Sequence, residues 1–420
     1  MTRKLQNIVR NNKGLLQNFS YITILQFVII LSPLITYPYL VRTIGKELYG
    51  YVLSAQVLSS YATIIIRFGF DAVSARHISI YRDDKPKLQS TISTIMLIRI
   101  ILWLICFLIY CLAVNLIPEY KKQSLLFLLS YGMTFQILLF PQFFFQGVEK
   151  MKVITIVNVL IQLIFTSLIF TFIKEAIDYI YIPVLYATGY AIGGILSIYI
   201  IIKKYDIKPQ IPKLKEIKYH LKDAFPLFLT DSITTIKDKL NYILLGIFVN
   251  ISDVVIYDFG AKLTTLAIQP LQIINIVVFP RMSREKNTRN FFIFGAIIFI
   301  LIISIVIGLN IFLPFITHFF IGSHIDLFPL RLYLFAPIFL GIGSYIGSNF
   351  IVARGYNKYM INSIIITTAI YLFFLILLFF KNKLNSVISF IGLTVLAYLI
   401  EMLYRLFIMH KLIKKEHEND

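Results

Sequence analysis

The chain has 420 residues, of which 58% are hydrophobic and only 15% are charged, and it carries a formal net charge of +19. An average soluble domain is about 45–50% apolar and about 25% charged, so the composition excludes an ordinary soluble protein. A strongly positive balance is also typical of nucleic-acid-binding proteins. Here most Lys and Arg residues lie between apolar blocks, so we expect no nucleic-acid partner.

Apolar blocks of about 20 residues recur along the chain, and each is long enough to cross the roughly 30 Å hydrocarbon core of a bilayer as a helix. Residues 95–114 and 291–310 are two examples. The blocks predict an all-α polytopic membrane protein whose first block is a transmembrane helix and not a cleaved signal peptide. We place about twelve spans, at residues 19–41, 49–66, 91–117, 123–146, 153–173, 179–202, 223–248, 253–279, 291–317, 327–352, 359–380 and 386–408.

The connections between these spans predict orientation and domain organisation. Lys and Arg are roughly four times as frequent on one side of the predicted membrane as on the other, which predicts that both termini are cytoplasmic. The longest connection, residues 203–222, divides the chain into a first half of residues 1–208 and a second half of residues 209–420. Residues 47–55 resemble residues 253–261, which favours a duplication with six helices in each half. A parallel repeat of this kind predicts a binding site between the halves.

The sequence lacks the common signatures of enzymes. It contains no phosphate-binding GxxxxGK[ST] loop, no HExxH and no Cys/His cluster, so we predict neither a cofactor nor a metal. The predicted outer loops are too short to hold an external catalytic domain. We therefore expect a transporter and not an enzyme.

Several charged residues interrupt the predicted spans, although a charge near the bilayer centre costs roughly 2.5–3.5 kcal/mol on insertion scales. One interpretation is mutual neutralisation within the protein, with Asp258 paired to Lys262 four residues later. The other is a water-filled cavity. The cavity is favoured because Lys237 and Lys239 point about 200° apart on a helix, so one ion-pair site does not easily hold both. The charges within the spans include Arg99, Asp231, Lys237, Asp238, Lys239, Asp258, Lys262 and Glu401.

Five segments in order along the chain resemble the Wzx-type polysaccharide flippases of the multidrug/oligosaccharidyl-lipid/polysaccharide exporter superfamily. The resemblance covers essentially the whole chain, although Phe143 stands where tryptophan is common in the family. The five segments are "YPYLVRTIGKELYG" (37–50), "RFGFDAVSARHIS" (67–79), "PQFFFQGVEKMKV" (141–153), "LNYILLGIFVNISDVVIYDFGAKL" (240–263) and "VVFPRMSR" (277–284).

The resemblance implies two six-helix bundles around a central cavity, in the cytoplasmic (inner) membrane of a bacterium. It implies translocation of undecaprenyl-pyrophosphate-linked oligosaccharides from the inner to the outer leaflet by alternating access, for O-antigen or capsule synthesis. Membrane lipids, a polysaccharide polymerase and chain-length proteins are the candidate partners. By depth in the membrane we predict Lys237, Lys239, Lys262 and Arg99 as substrate-binding residues, with Arg42 added from a matched segment. The carboxylates predicted for ion coupling are Asp231, Asp238 and Asp258.

Two alternatives stay open. The first is an ion-coupled exporter of drugs or metabolites from the same superfamily, for which mostly cationic substrates would favour an acidic cavity. The second is a membrane polymerase or glycosyltransferase of lipid-linked sugars, which usually needs a substantial outer loop.

Overall fold

A computed structural model describes residues 13–285, 287–322 and 325–419, and this part of the chain is helical without any β-strand. Short 3₁₀ segments at Tyr131–Thr134 and Ala176–Tyr181 and a π-helical segment at Gly347–Val352 join some of the helices. The α-helices are α1 (Lys13–Arg67), α2 (Phe70–Tyr81), α3 (Lys85–Leu116), α4 (Pro118–Lys121), α5 (Ser124–Ser130), α6 (Phe135–Leu139), α7 (Gln142–Gly147), α8 (Met151–Phe172), α9 (Ile182–Tyr205), α10 (Leu214–Phe248), α11 (Asp253–Glu285), α12 (Thr288–Ile321), α13 (Phe328–Tyr333), α14 (Ala336–Ile346), α15 (Asn357–Phe380) and α16 (Val387–Asn419).

The predicted membrane-spanning fold is confirmed. In the described part, nine helical stretches are long and apolar enough to cross a membrane, and α11, bent by 47° between Asn275 and Val278, adds a tenth. Helix α1 covers the first two predicted spans because it continues past Gly45, whose backbone is not helical (φ 81°, ψ 164°). Helix α10 corresponds to the seventh predicted span, but its charged residues make it too polar for a test of apolarity. The structure is therefore consistent with about twelve spans; the cytoplasmic position of the termini stays a prediction.

The chain divides into two compact units, and the boundary lies between Ser232 and Ile233. This point falls inside α10, so the first turns of that helix belong to the N-terminal unit. The connection predicted as the boundary, which ends before residue 223, precedes it. The assignment of six helices to each half stays a prediction.

The N-terminal unit has a phenylalanine-rich core built from two of the segments that carry the family resemblance. Phe70 of α2 and Phe143 of α7 are fully buried in one cluster with Ala224 of α10. Gly69 (φ 70°) begins the turn into α2, and a Cβ there would lie 2.7 Å from the Ala224 carbonyl oxygen. At Gly147 a Cβ would lie 2.7 Å from the Ala75 carbonyl oxygen. These glycines let α2 lie directly against α10 and α7.

The C-terminal unit packs α14 and α15 against α16, and α11 and α12 against α14. Its outer helices are strongly apolar, as the exposed Ile300, Ile311 and Phe315 of α12 show. Its interior differs from that of the N-terminal unit because it holds fully buried polar side chains such as Asn241 and Thr367. Polar groups in a membrane protein usually face the interior of a helix bundle, so this interior is where we examined the predicted site.

Candidate functional site

Lys237 of α10 is buried against α16 and does not stand free. Its Nζ lies 2.7 Å from Oε2 of Glu401, and 3.9 Å from Oδ1 of the adjacent Asp238. The ammonium also lies 5.1 Å from the ring centroid of Tyr398. The exposed fraction of Lys237 is 7%, so its charge is compensated mainly by Glu401 and not by solvent.

Glu401 carries a second cation on its other oxygen. Arg405, one helical turn later on α16, pairs with Oε1 of Glu401. The same guanidinium donates from Nε to Ser363 Oγ at 3.1 Å and from a terminal nitrogen to the Gly343 carbonyl oxygen at 3.0 Å. The Lys237–Glu401–Arg405 chain thus joins α10, α14, α15 and α16. We call it the ion triad.

Asn241, one turn after Lys237, is the centre of a hydrogen-bonded cluster that also joins α10 to α16. Its Nδ2 donates to the Tyr257 hydroxyl at 3.0 Å and to Thr394 Oγ1 at 2.9 Å, and its Oδ1 accepts from the Tyr371 hydroxyl at 2.6 Å. Asn241 has no exposed surface. Because buried polar groups must be paired to be tolerated, this cluster fixes the register of four helices.

Asp258 of α11 forms the next polar contact. It pairs with Lys262 on the following turn, the i,i+4 arrangement that the sequence suggests, and its Oδ1 accepts from the Tyr242 hydroxyl at 3.2 Å. Asp258 is buried, whereas Lys262 is half-buried. The pair therefore places a partly accessible ammonium at the edge of a buried carboxylate.

Lys239 differs from the other lysines of this unit. It is half-buried, and its Nζ lies 5.1 Å from the ring centroid of Tyr242. Within the described ranges the structure records no ion pair for it. Asp258 is close enough to attract it electrostatically, but it already pairs with Lys262.

The polar interior therefore has one positive charge more than its carboxylates balance. The cations Lys237, Lys239, Lys262 and Arg405 share the three carboxylates Asp238, Asp258 and Glu401. Because Lys239 is the cation without an ion pair among the described residues, the excess is centred there. Such a surplus in a weakly solvated interior attracts an anion.

The N-terminal unit holds a separate charge cluster. Arg99 of α3 has no exposed surface; it donates to Asp71 Oδ1 at 2.6 Å and to the Ile137 carbonyl oxygen at 3.1 Å. Its guanidinium carbon lies 4.7 Å from the ring centroid of Phe143. Arg67 pairs with the other oxygen of Asp71 at 3.3 Å. These contacts give Arg99 a packing function between α2, α3 and the segment that contains Phe143.

The remaining predicted residues are more accessible. Arg42 is exposed on α1. Asp231 is exposed as well, and it lies within electrostatic range of Arg67 and Asp71. Asp238 is half-buried beside Lys237. None of these positions by itself shows whether the side chain meets a substrate.

For Lys237 and Lys262 the structure supports the pairing interpretation of the sequence and not the water-filled cavity. The Asp258–Lys262 pair is local and is visible in the sequence. The partner of Lys237 is 164 residues away, so no local pattern shows it. The sequence analysis does not single out Arg405, although its i,i+4 spacing from Glu401 is a usable signal.

A multi-spanning helical fold with a charged, hydrogen-bonded interior defines a membrane transport protein. No group of three or more His, Cys, Asp or Glu side chains in the described ranges could hold a metal. The solved structure of the lipid II flippase MurJ in an inward closed conformation matches with a TM-score of 0.69 at 16% identity, covering 91% of this chain and 86% of that one. An inward-facing multidrug resistance MATE family transporter of the MOP superfamily matches with a TM-score of 0.65 at 14% identity, covering 92% and 99%.

The family model described as "Polysaccharide biosynthesis protein" matches residues 15–286, and the chain belongs to this family. Two curated proteins named as candidate O-antigen transporters are similar to it. The one from Escherichia coli (strain K12) is 27% identical over 56% of this chain and 57% of its own length. The one from Shigella dysenteriae is 29% identical over 61% and 64%. The matched segments thus span less than two thirds of either relative. These findings agree with a multi-pass inner-membrane transporter and not an enzyme, and they confirm the predicted superfamily.

Proposed function

We propose that the protein is a flippase that moves undecaprenyl-pyrophosphate-linked oligosaccharides from the inner to the outer leaflet of the cytoplasmic membrane, for synthesis of a surface polysaccharide. The observation that carries the proposal is the uncompensated positive charge at Lys239, in the interior of a chain from the polysaccharide biosynthesis family. The relatives named for O-antigen transport and the MurJ-like fold support it.

A pyrophosphate group is the most costly part of such a substrate to move through hydrocarbon. A lysine offsets this cost as a compact point charge that can follow a moving phosphate. Lys239 meets this requirement because no described carboxylate holds it in place. Lys262 is the second candidate, since it can exchange Asp258 for a substrate anion without leaving its helix.

The ion triad has a different function in this proposal. Lys237 and Arg405 already occupy both oxygens of Glu401, so releasing either would leave a buried charge unpaired. We therefore assign Lys237 to packing and retain Lys239 and Lys262 as the substrate contacts of this unit. Arg99 is assigned to packing for the same reason, and Arg42 stays a candidate at the exposed end of the path.

The proposed transport cycle is alternating access driven by a proton or cation gradient. Asp238 and Asp258 are the coupling candidates, since each lies beside a lysine whose charge its titration would release. Asp231 is a third, in the N-terminal unit. Neutralising Asp258 would free Lys262, which links a titration directly to an anion contact.

Leaflet exchange in liposomes tests the proposal. The purified protein is reconstituted with a fluorescent undecaprenyl-pyrophosphate oligosaccharide, and a membrane-impermeant quencher reports the accessible fraction. We expect protein-dependent exchange that falls at least tenfold in Lys239→Gln, because a hydrogen bond to a charged group contributes about 1.5–3 kcal/mol. Lys381→Gln, an exposed lysine of the same unit, is the matched control and should leave exchange unchanged.

Two other results would redirect the proposal. Exchange that survives Lys239→Gln and Lys262→Gln together would keep the flippase but move the site elsewhere. Absence of exchange, with gradient-driven export of a cationic dye, would instead identify the drug-exporter alternative that the MATE-like fold also accommodates. The second result would contradict the proposed substrate class.

A further inference from the structure

The N-terminal unit contains a cavity of about 460 Å³ that the transport proposal does not use. It lies between the first two turns of α3, which contribute Lys87 and Ser90, and the first two turns of α10, which contribute Lys215, Tyr219 and His220. These residues belong to connections predicted to face the cytoplasm. A volume of this size is typical of a small-ligand site.

Two long helices begin at this cavity. Helix α3 has 32 residues and helix α10 has 35, and both present their N-terminal turns to the same space. The unpaired amides and the aligned peptide dipoles of a helix N-terminus favour an anion. A helix end alone does not make a site, so the side chains decide the question.

The carboxylates near the cavity are already engaged with their own helix ends. Glu216 accepts from Ser90 Oγ at 2.7 Å on one oxygen and from the Lys213 amide at 2.9 Å on the other. Asp84 accepts from the Lys87 amide at 3.1 Å and pairs with the Lys87 ammonium at 2.9 Å. Neither carboxylate is recorded as a partner of Lys215.

Two cavity-lining groups are therefore available to a ligand. Lys215 has no recorded ion pair within the described residues. His220 is 94% buried, with 6% of its surface exposed, and its Nδ1 has no hydrogen-bond partner. A buried polar atom without a partner costs about 1–3 kcal/mol. A ligand that bonds this nitrogen would remove that cost.

We propose that this cavity binds the phosphate group of a headgroup-sized phosphate ester, with Lys215 and His220 as its principal contacts. Tyr219, which also lines the cavity, offers an apolar wall to the rest of the ligand. The same chemistry is offered by the headgroup of an anionic membrane lipid and by a soluble phosphate ester. The site is separate in chain position from Lys239 and Lys262, so its occupancy would act on the protein from outside the transport path.

Ligand-dependent stabilisation of the full-length protein in a neutral detergent tests this inference. The apparent unfolding temperature is measured against short-chain phosphatidylglycerol, short-chain phosphatidylcholine and glycerol 3-phosphate. We expect saturable stabilisation by phosphatidylglycerol, by glycerol 3-phosphate or by both, and none by phosphatidylcholine. Stabilisation by phosphatidylglycerol alone would identify a membrane lipid as the source, and stabilisation by glycerol 3-phosphate at similar concentration a soluble ester.

The variants separate this site from general attraction by a basic surface. Lys215→Gln removes an exposed side chain and should raise the half-saturating concentration by roughly tenfold. Lys218→Gln and Lys222→Gln, each exposed on the same helix and absent from the cavity lining, are single-charge controls that should leave it unchanged. Equal weakening by the controls, or no saturable stabilisation by either phosphate ligand, would overturn the inference. Neither result bears on leaflet exchange, so the two proposals fail separately.

Discussion

Lys237 Nζ and Glu401 Oε2 lie 2.7 Å apart, although 164 residues of chain separate them. This contact joins α10 to α16, and Arg405 on the same carboxylate extends it to α14 and α15. A buried ion chain of this kind contributes little net stability when complete. It becomes a large liability when one member is removed, because the remaining charges stay buried.

The first prediction concerns the order of damage within the ion triad. Glu401→Gln leaves two buried cations without a carboxylate, so we expect it to destabilise the protein by about 3–5 kcal/mol. Lys237→Met leaves the Glu401–Arg405 pair intact and should cost less. Thermal unfolding in detergent, with Lys381→Gln as the neutral reference, gives the ranking. An equal effect of the two triad variants would contradict the bridging position of Glu401.

The second prediction concerns the Asn241 cluster. Tyr371→Phe removes the hydroxyl that donates to Asn241 Oδ1 at 2.6 Å and leaves that oxygen without this donor. We expect a loss of about 1–3 kcal/mol in unfolding free energy. Tyr199→Phe makes the same chemical change at an exposed position and should be neutral. The comparison isolates the buried hydrogen bond from the general effect of losing a hydroxyl.

The third prediction concerns close packing at Gly147. A Cβ there would lie 2.6 Å from Ile78 Cγ2 and 2.7 Å from the Ala75 carbonyl oxygen. Gly147→Ala should therefore push α2 away from α7 and cost about 1–3 kcal/mol. Gly308→Ala meets no atom within 4 Å. It should be neutral or stabilising by up to about 1 kcal/mol, because alanine favours a helix interior. Yields of folded protein after solubilisation measure both.

The fourth prediction concerns pH. Burial lowers the pKa of His220 to about 4; His77 adds to this effect, and the carboxylates of Asp223 and Glu216 oppose it. The unfolded pKa is about 6.5, so the stability gained by burying the neutral ring is complete above that pH. It is lost as the pH falls toward 4, by about 3 kcal/mol in total.

The matched variant for this pH dependence is His220→Gln, which cannot titrate. Its apparent unfolding temperature should decline less than that of the unmodified protein between pH 6.5 and pH 4. Parallel declines would show that other groups account for the acid sensitivity.

The sequence predicts the helical membrane fold well because hydrophobic length alone decides it. It also predicts the Asp258–Lys262 pair, since both residues lie on one turn of helix. It does not predict that Glu401 compensates Lys237, because that pairing depends on how α10 and α16 pack. The continuation of α1 past Gly45 is likewise a matter of backbone geometry at one residue. Local chemistry can be predicted from sequence, whereas contacts between distant helices require the fold.

The order of synthesis gives the ion triad a consequence for biogenesis. Lys237 emerges from the ribosome long before Glu401, so α10 must wait, with its ammonium unmatched, until the last helix is made. A chain truncated between these residues would hold an uncompensated charge in the bilayer and should be degraded. The last helix thus completes the charge balance of α10, and only a chain translated past Glu401 can mature.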